Sequence, residues 1–382
     1  MRCPRLLILS AAVVLLAVSG PLAGQPPAPA TPPQRTPIAP QLDVVVPIAP
    51  TASKADGRWH LVYELHLGNW NRSDCKITSV DIVAGGASRR TLATYAGALL
   101  DSAMARPGLK VTDKSVLAPG TAAVVFVWAT VENADAVPAT IQQRLVVTVG
   151  TNIPDTILTT PMRVGRGAVA ISAPLRGDHW LAGNGPSASS GHRRALVVVD
   201  GHAAIAQRFA IDWVRLHDDG KTFAGDSLDN KNYLAYGSDA LAVADGIVVE
   251  TKDSIPQNIP GESSRAVPIT LETVAGNHIV LDIGNGRYAL YAHLQPGSLR
   301  AKTGDRVRRG QVLGLVGNTG NSTEPHLHFH IMDAPSPLGG EGLPYSLSAF
   351  QVVSRGWKQM QTGVSESHHD EIPLEDEVVN LP

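Results

Sequence analysis

Apolar and polar residues alternate along Trp59-His-Leu-Val-Tyr-Glu-Leu-His-Leu67, the period-two pattern of a strand with one buried face. Similar runs follow at Val80–Val83, Ala122–Val131 and Arg144–Val149, with turn residues such as Pro119-Gly120 between them. Only the stretch near Thr91–Ala105 reads as helical. Short strands at this spacing predict an immunoglobulin-like, antiparallel β-sandwich over residues 42–163, acting as an accessory or spacing module. His60, Glu64 and His66 share one parity and read as an exposed strand face. A second series of strands is predicted at Arg194–Val199, Ile205–Leu216, Ala240–Glu250, His278–Ile283, Tyr288–Leu294, Val312–Val316 and Leu327–Met332. Asp245-Gly246, Gly284-Asn-Gly286 and Gly304-Asp305 supply turns, so residues 164–356 read as a second, mostly antiparallel β domain.

The ends of the chain look different. Arg2 and Arg5 precede an apolar run from Leu6 to Val18 and then small residues, which predicts a secretory signal over residues 1–24. Residues 25–41 are rich in Pro, Ala and Thr and read as a semi-stiff linker. Residues 357–382 carry an acidic stretch and read as a disordered tail, with His368 and His369 solvated. After signal removal no segment is long and apolar enough to span a bilayer, and Cys75 is left alone as a small packing residue. The expected location is therefore outside the cytoplasm, in the periplasm or cell envelope.

Composition narrows the function by exclusion. The 382 residues include 32 basic and 34 acidic side chains, for a net charge of -2. That balance gives no sign of a nucleic-acid partner. The chemistry concentrates in Thr319-Gly-Asn-Ser-Thr-Glu-Pro-His-Leu-His-Phe-His330. On a strand, His326, His328 and His330 project to one face, and three imidazoles in register suit a metal or a catalytic site.

Further blocks extend this pattern: Arg208-Phe-Ala-Ile-Asp212, Asp239–Val248, Tyr291-Ala-His-Leu294, Gly304-Asp-Arg-Val-Arg-Arg-Gly-Gln311 and Gly317-Asn-Thr-Gly-Asn-Ser-Thr323. Their content and order, from about Ala203 to Met332, resemble the lysostaphin/LytM-type zinc metallopeptidases, which cut peptides of bacterial peptidoglycan. The resemblance implies an antiparallel β-fold related to the lipoyl and biotinyl barrels. It implies zinc as the cofactor, with Asp212 and His328 as ligands and His293 and His326 as catalytic histidines. The Gly304–Gln311 run also resembles the lipoyl and biotinyl carriers themselves, but their Met-Lys-Met hairpin is missing.

One position departs from the family pattern. The family has His-x-x-x-Asp, the histidine being the third zinc ligand, and here Arg208 stands in its place. Arginine has donors and no lone pair, so it cannot ligate a metal, and on a continuous strand it could pair with Asp212 in the metal's stead. Either another histidine completes the set (His330, His192, His202 or His179) or a register shift turns Arg208 away. Glu324 replaces a usual glycine and reads as an exposed loop carboxylate. Two functions remain open: a zinc endopeptidase of peptidoglycan peptides, or a metal-free module that binds wall peptides or regulates another cell-envelope hydrolase.

Overall fold

Strand alternation builds nearly everything in the computed structural model, which describes residues 42–86, 89–151, 154–261, 265–358, 360 and 363–382. The expected signal and linker lie outside the described residues. The described residues form one compact unit.

The first part is a two-sheet β-sandwich. One sheet orders Gly165–Arg166, Thr51–Ala55, Arg58–Gly68, Ala122–Val131 and Met104–Ala105 side by side, with Asp43–Val45 also pairing Arg58–Gly68. The other orders Asp155–Leu158, Thr140–Val149, Cys75–Ala84 and Thr91–Ala96. Leu61, Tyr63, Leu65 and Leu67 from the first sheet meet Ile77, Val80, Ile82, Leu145 and Val147 from the second. The odd-numbered positions of Trp59–Leu67 thus fill the core, as the alternation requires. Cys75 is buried and unpaired, and burial pushes its thiol up to about 11. The helix is a short one, Gly97–Ala103, which buries Leu100 and Ala103, and the residues just before it, Thr91–Ala96, are a strand.

The even-numbered face of Arg58–Gly68 corrects an expectation. His60 and Glu64 are both only 3% exposed, because this face packs against the second part of the chain. Val62 and Trp128 of the sandwich join the core of that second part. Periodicity shows that a face is polar, but not what covers it.

The second part is organised by a ten-stranded sheet. Its order is Arg306–Val307, Gly246–Lys252, Asn277–Asp282, Tyr288–Leu294, Leu327–Met332, Ile211–Arg215, Gly177–Gly183, Glu377–Leu381, Phe350–Arg355 and Glu366–His368. Leu327, Phe329 and Ile331 point into its main core beside Ile211, Trp213 and Tyr291, which leaves His328 and His330 on the opposite face.

Two sequence expectations fail here. The predicted strand Ile205–Leu216 begins only at Ile211, so Arg208 sits in a turn before it. The acidic C-terminal segment is ordered: Glu377–Leu381 pairs with both Gly177–Gly183 and Phe350–Arg355, and buries Val378 and Val379 completely. Its alternation of apolar and polar residues outweighs the acidic composition. His368 is likewise not solvated; it stacks on Phe350 with ring centroids 5.1 Å apart and bonds Glu371 at 3.1 Å.

Candidate metal centre

Three neighbouring strands carry the site. Asp212 on Ile211–Arg215 lies directly across from His328 on Leu327–Met332, and His328 lies across from Ala292 on Tyr288–Leu294. His293 follows Ala292, and strict alternation would send its ring into the core. Its φ of 65° breaks the alternation, so Ala292 and His293 both line the same cleft. Its amide donates to Ala275 (2.9 Å) and its Nδ1 to the Thr319 carbonyl (2.7 Å), which fixes the ring. The turn behind it admits only glycine. Gly320 has a φ of 69°, and a Cβ there would collide with the Gly276 backbone.

His293, His326, His328 and Asp212 therefore converge, in a cleft of about 300 Å³. The ring centroids of His293 and His326 are 4.8 Å apart, and those of His293 and His328 are 5.8 Å apart. The structure adds His192. Its loop folds over the cleft and brings Nε2 to 3.3 Å from Asp212 Oδ2, with the ring 4.8 Å from that of His328. His192, Asp212 and His328 each offer one ligand atom, all within 4.8 Å of one another, and form the group among the described residues that could hold a metal ion.

Arg208 does not stand in for a cation at this point. Its Nε donates to Glu64 of the sandwich (2.9 Å), one terminal nitrogen to the Gly342 carbonyl (2.9 Å) and the other to Glu341 (2.7 Å). It is Gln207 beside it that lines the cleft. The remaining candidate histidines fall elsewhere. His202 is exposed on a small hairpin, and His179 pairs with Asp218 at 3.3 Å. His330 lies beneath His328, with its Nδ1 2.9 Å from His328 Nε2. Glu324 contributes through its backbone: its carbonyl accepts from His326 Nδ1 (2.8 Å), while its carboxylate accepts from Thr222 (2.9 Å).

A bond to a backbone carbonyl assigns the tautomer of His192, which tests the fit of a cation. His192 Nδ1 donates to the Asn184 carbonyl (3.0 Å), so Nε2 keeps its lone pair and aims it at Asp212. His326 Nδ1 donates to Glu324, and its Nε2 lies 3.4 Å from Asp212 Oδ1, to which it donates once protonated. His328 Nε2 shares one proton with His330 Nδ1 across 2.9 Å, and His328 Nδ1 lies 2.8 Å from Asp212 Oδ1, so it can ligate a cation in the tautomer that carries its proton on Nε2. The His192 Nε2 lone pair and the carboxylate repel each other unless a proton or a metal cation lies between them. Burial on its own would raise the Asp212 carboxyl, but His192 and His326 outweigh it and hold it well below the usual carboxylate range. Burial lowers His192 to about 4, partly offset by Asp212, which keeps the imidazole neutral as a ligand must be. Burial, reinforced by His326 and His328, also keeps His293 well below the ordinary histidine value. His326 differs: burial lowers it, but Asp212 more than compensates and its value is raised. Two imidazoles and one carboxylate form a donor set that suits zinc and leaves room for a fourth ligand.

His192 carried little signal in the sequence. Gly191-His-Arg-Arg194 precedes the first expected strand, far from Asp212 along the chain, and only tertiary folding brings it to the carboxylate.

Residues 232–339 match Peptidase family M23. The match includes His293, His326 and His328, while Asp212 and His192 lie before it. The chain is 31% identical over 105 residues to the peptidoglycan DD-endopeptidase ShyA of Vibrio cholerae serotype O1, covering 28% of this chain and 20% of the relative. It is 47% identical over 58 residues to the glycyl-glycine endopeptidase ALE-1 of Staphylococcus capitis, covering 15% of this chain and 16% of the relative. This chain thus spans about a fifth of the length of the curated relatives it matches. Among solved structures, the catalytic domain of lysostaphin from Staphylococcus simulans aligns with a TM-score of 0.24 at 24% identity, over 43% of this chain and 88% of that one.

Proposed function

We propose that this chain carries an M23 peptidase domain and is a zinc endopeptidase that hydrolyses peptide bonds of peptidoglycan outside the cytoplasm. The observation that carries the proposal is the convergence of His192 Nε2, Asp212 and His328 Nδ1, with His293 and His326 in the same cleft. The two relatives are named for peptidoglycan and glycyl-glycine bonds, which supports a wall peptide as the substrate class.

His192, Asp212 and His328 would hold the zinc, and the metal would supply Lewis-acid activation of a water and of the scissile carbonyl. His293 presents a neutral Nε2 to the cleft because Thr319 holds its Nδ1 proton. That nitrogen accepts the proton of the attacking water. His326, whose Nδ1 is tied to Glu324 and whose value Asp212 raises, would steady the developing oxyanion when protonated. With zinc bound, His330 Nδ1 would accept the Nε2 proton of His328 and so leave Nδ1 free to ligate. Asn184 serves both ends of the ligand set: its side chain donates to Asp212 Oδ2 (2.9 Å) and its carbonyl fixes His192.

An Arg208 paired with Asp212 in the metal's place would have favoured a metal-free module. In the structure that arginine pairs with Glu64 and Glu341 instead.

The test is digestion of purified peptidoglycan sacculi by zinc-loaded protein, read as newly exposed amines and a changed fragment profile. Wild type is expected to cleave, and His326→Ala to lose about 10²- to 10⁴-fold in rate while retaining zinc. Zinc-loaded wild type that releases no new amine from any sacculus offered would overturn the proposal.

A further inference from the structure

Glu64, which the strand pattern places on a free surface, lies at the centre of a buried ion network that reaches the metal centre. Its Oε2 accepts from Arg208 at 2.9 Å, and its Oε1 lies 3.6 Å from Arg193 Nε. Arg193 is fully buried and immediately follows His192. Its guanidinium donates to the Val127 carbonyl (2.6 Å) and to the Tyr63 carbonyl (3.3 Å), both on strands of the sandwich. It also lies 5.6 Å from the ring centroids of both Phe126 and Trp128. Arg194 continues the attachment. It donates to the carbonyl of Ser102 in the sandwich helix (2.7 Å) and sits over Phe126 at 4.9 Å. Burial lowers the Arg193 guanidinium to about 10, offset in part by Glu64, so the cation persists at neutral pH.

The strand that carries Asp212 needs none of these contacts, but the loop that carries His192 has no strand of its own at this point. It is held at its base by Asn184, which accepts from Ser190 Oγ (2.7 Å) and from His192. On the far side of His192, Arg193 and Arg194 bond it to the sandwich. A loop pinned only at its base would let the imidazole swing. Pinning both sides fixes Nε2 against Asp212.

We propose that the N-terminal sandwich is a working part of the metal centre: through Arg193 and Arg194, braced by Glu64, it positions His192 as the third ligand, so that zinc affinity depends on the docked sandwich. This rests on the ligand set proposed above. Arg193, Arg194 and Glu64 are positioning residues, since none touches the metal or the substrate. Arg208 belongs to the same device: the residue in the slot of the family's histidine ties Glu64 into the second domain, while His192 takes over the ligand role. A guanidinium is suited to this because Arg208 bonds two carboxylates and a carbonyl through three separate nitrogens.

The experiment measures the zinc affinity of the full-length protein by competition with a chromophoric chelator, well below the unfolding midpoint, with folding followed by circular dichroism. Arg193→Lys keeps the charge but has one shorter-reaching nitrogen, which cannot serve Glu64 and the Val127 and Tyr63 carbonyls together, and Arg194→Ala frees the loop without touching the buried network. Each is expected to weaken zinc binding about 10- to 100-fold in a folded protein, the range for residues that orient metal ligands. His192→Ala is expected to lose more. If Arg193→Lys does not fold, Arg194→Ala decides. A His192→Ala protein that loses zinc, beside folded arginine variants that bind it like wild type, would overturn the positioning role and leave the ligand set standing. His192→Ala binding zinc as tightly as wild type would remove the ligand set and the positioning role together.

Discussion

A buried charge is defined by what surrounds it, and three residues show this. Arg208 is 5% exposed and bonded to two carboxylates and a carbonyl. Arg208→His is therefore not expected to rebuild a zinc ligand. It leaves Glu64 and Glu341 short of a cation, and should cost about 3–5 kcal/mol of stability with no gain in zinc stoichiometry. Denaturant unfolding and metal analysis of the variant check both parts. His60 is a second case. Its Nδ1 accepts from Trp128 Nε1 (2.9 Å) and lies 3.0 Å from Thr130 Oγ1, while Nε2 donates to the Ala55 carbonyl (3.1 Å). Burial lowers its pKa below 6.5, with a partial offset from the Ala55 bond. In the unfolded chain it takes up a proton at a higher pH than in the fold, so its contribution to stability is complete above 6.5 and is lost as the pH falls through the lowered value. Thermal unfolding between pH 7 and pH 5 should show the wild-type midpoint falling, and His60→Gln should flatten that fall. The third is His192, which is legible in the sequence only as one of several spare histidines. The other four residues of the cleft were legible because strand parity and motif order carry them; His192 was not, because a loop held by a neighbouring domain leaves no periodic trace.

At the scale of elements, alternation was a reliable guide wherever both faces of a strand had a simple environment. Ala122–Val131, Tyr288–Leu294 and Leu327–Met332 fall where the sequence places them. It failed for Ile205–Leu216, whose first half turns to hand Arg208 to Glu64, and for the C-terminal segment, where acidic composition masked Glu377-Val-Val-Asn-Leu381. That last strand lies between Gly177–Gly183 and Phe350–Arg355, and buries Val378, Val379 and Leu381. Each such side chain is worth about 1.5–3 kcal/mol, and a domain has only about 5–15 kcal/mol in hand. Deleting residues 377–382 is expected to abolish cooperative unfolding, which differential scanning calorimetry would show. An unchanged transition would mean that the strand is dispensable. The glycine turn behind His293 is a smaller test. Gly320→Ala forces an L residue to a positive φ against the Gly276 backbone, so a loss of at least about 1–2 kcal/mol is expected from the conformation alone.

For the whole molecule, the sandwich and the peptidase domain share buried surface and buried charge. Two domains are legible in the sequence but their joint is not, because ion pairs such as Arg208 with Glu64 join residues far apart in the chain and leave no local pattern. Zinc that binds only the folded chain should raise its stability by linkage, by about 2.7 kcal/mol at a hundredfold excess over Kd. The gain is expected in a single transition that includes the sandwich. A sandwich that melts separately and ignores zinc would count against the coupling.

The central claim is that His192, Asp212 and His328 together hold the metal, and anomalous diffraction at the zinc edge from crystals of the full-length protein tests it most directly. One peak in contact with His192 Nε2, the Asp212 carboxylate and His328 Nδ1 is the predicted result. A peak that touches Asp212 and His328 but leaves His192 apart, or a map with no peak in the cleft at saturating zinc, would contradict it.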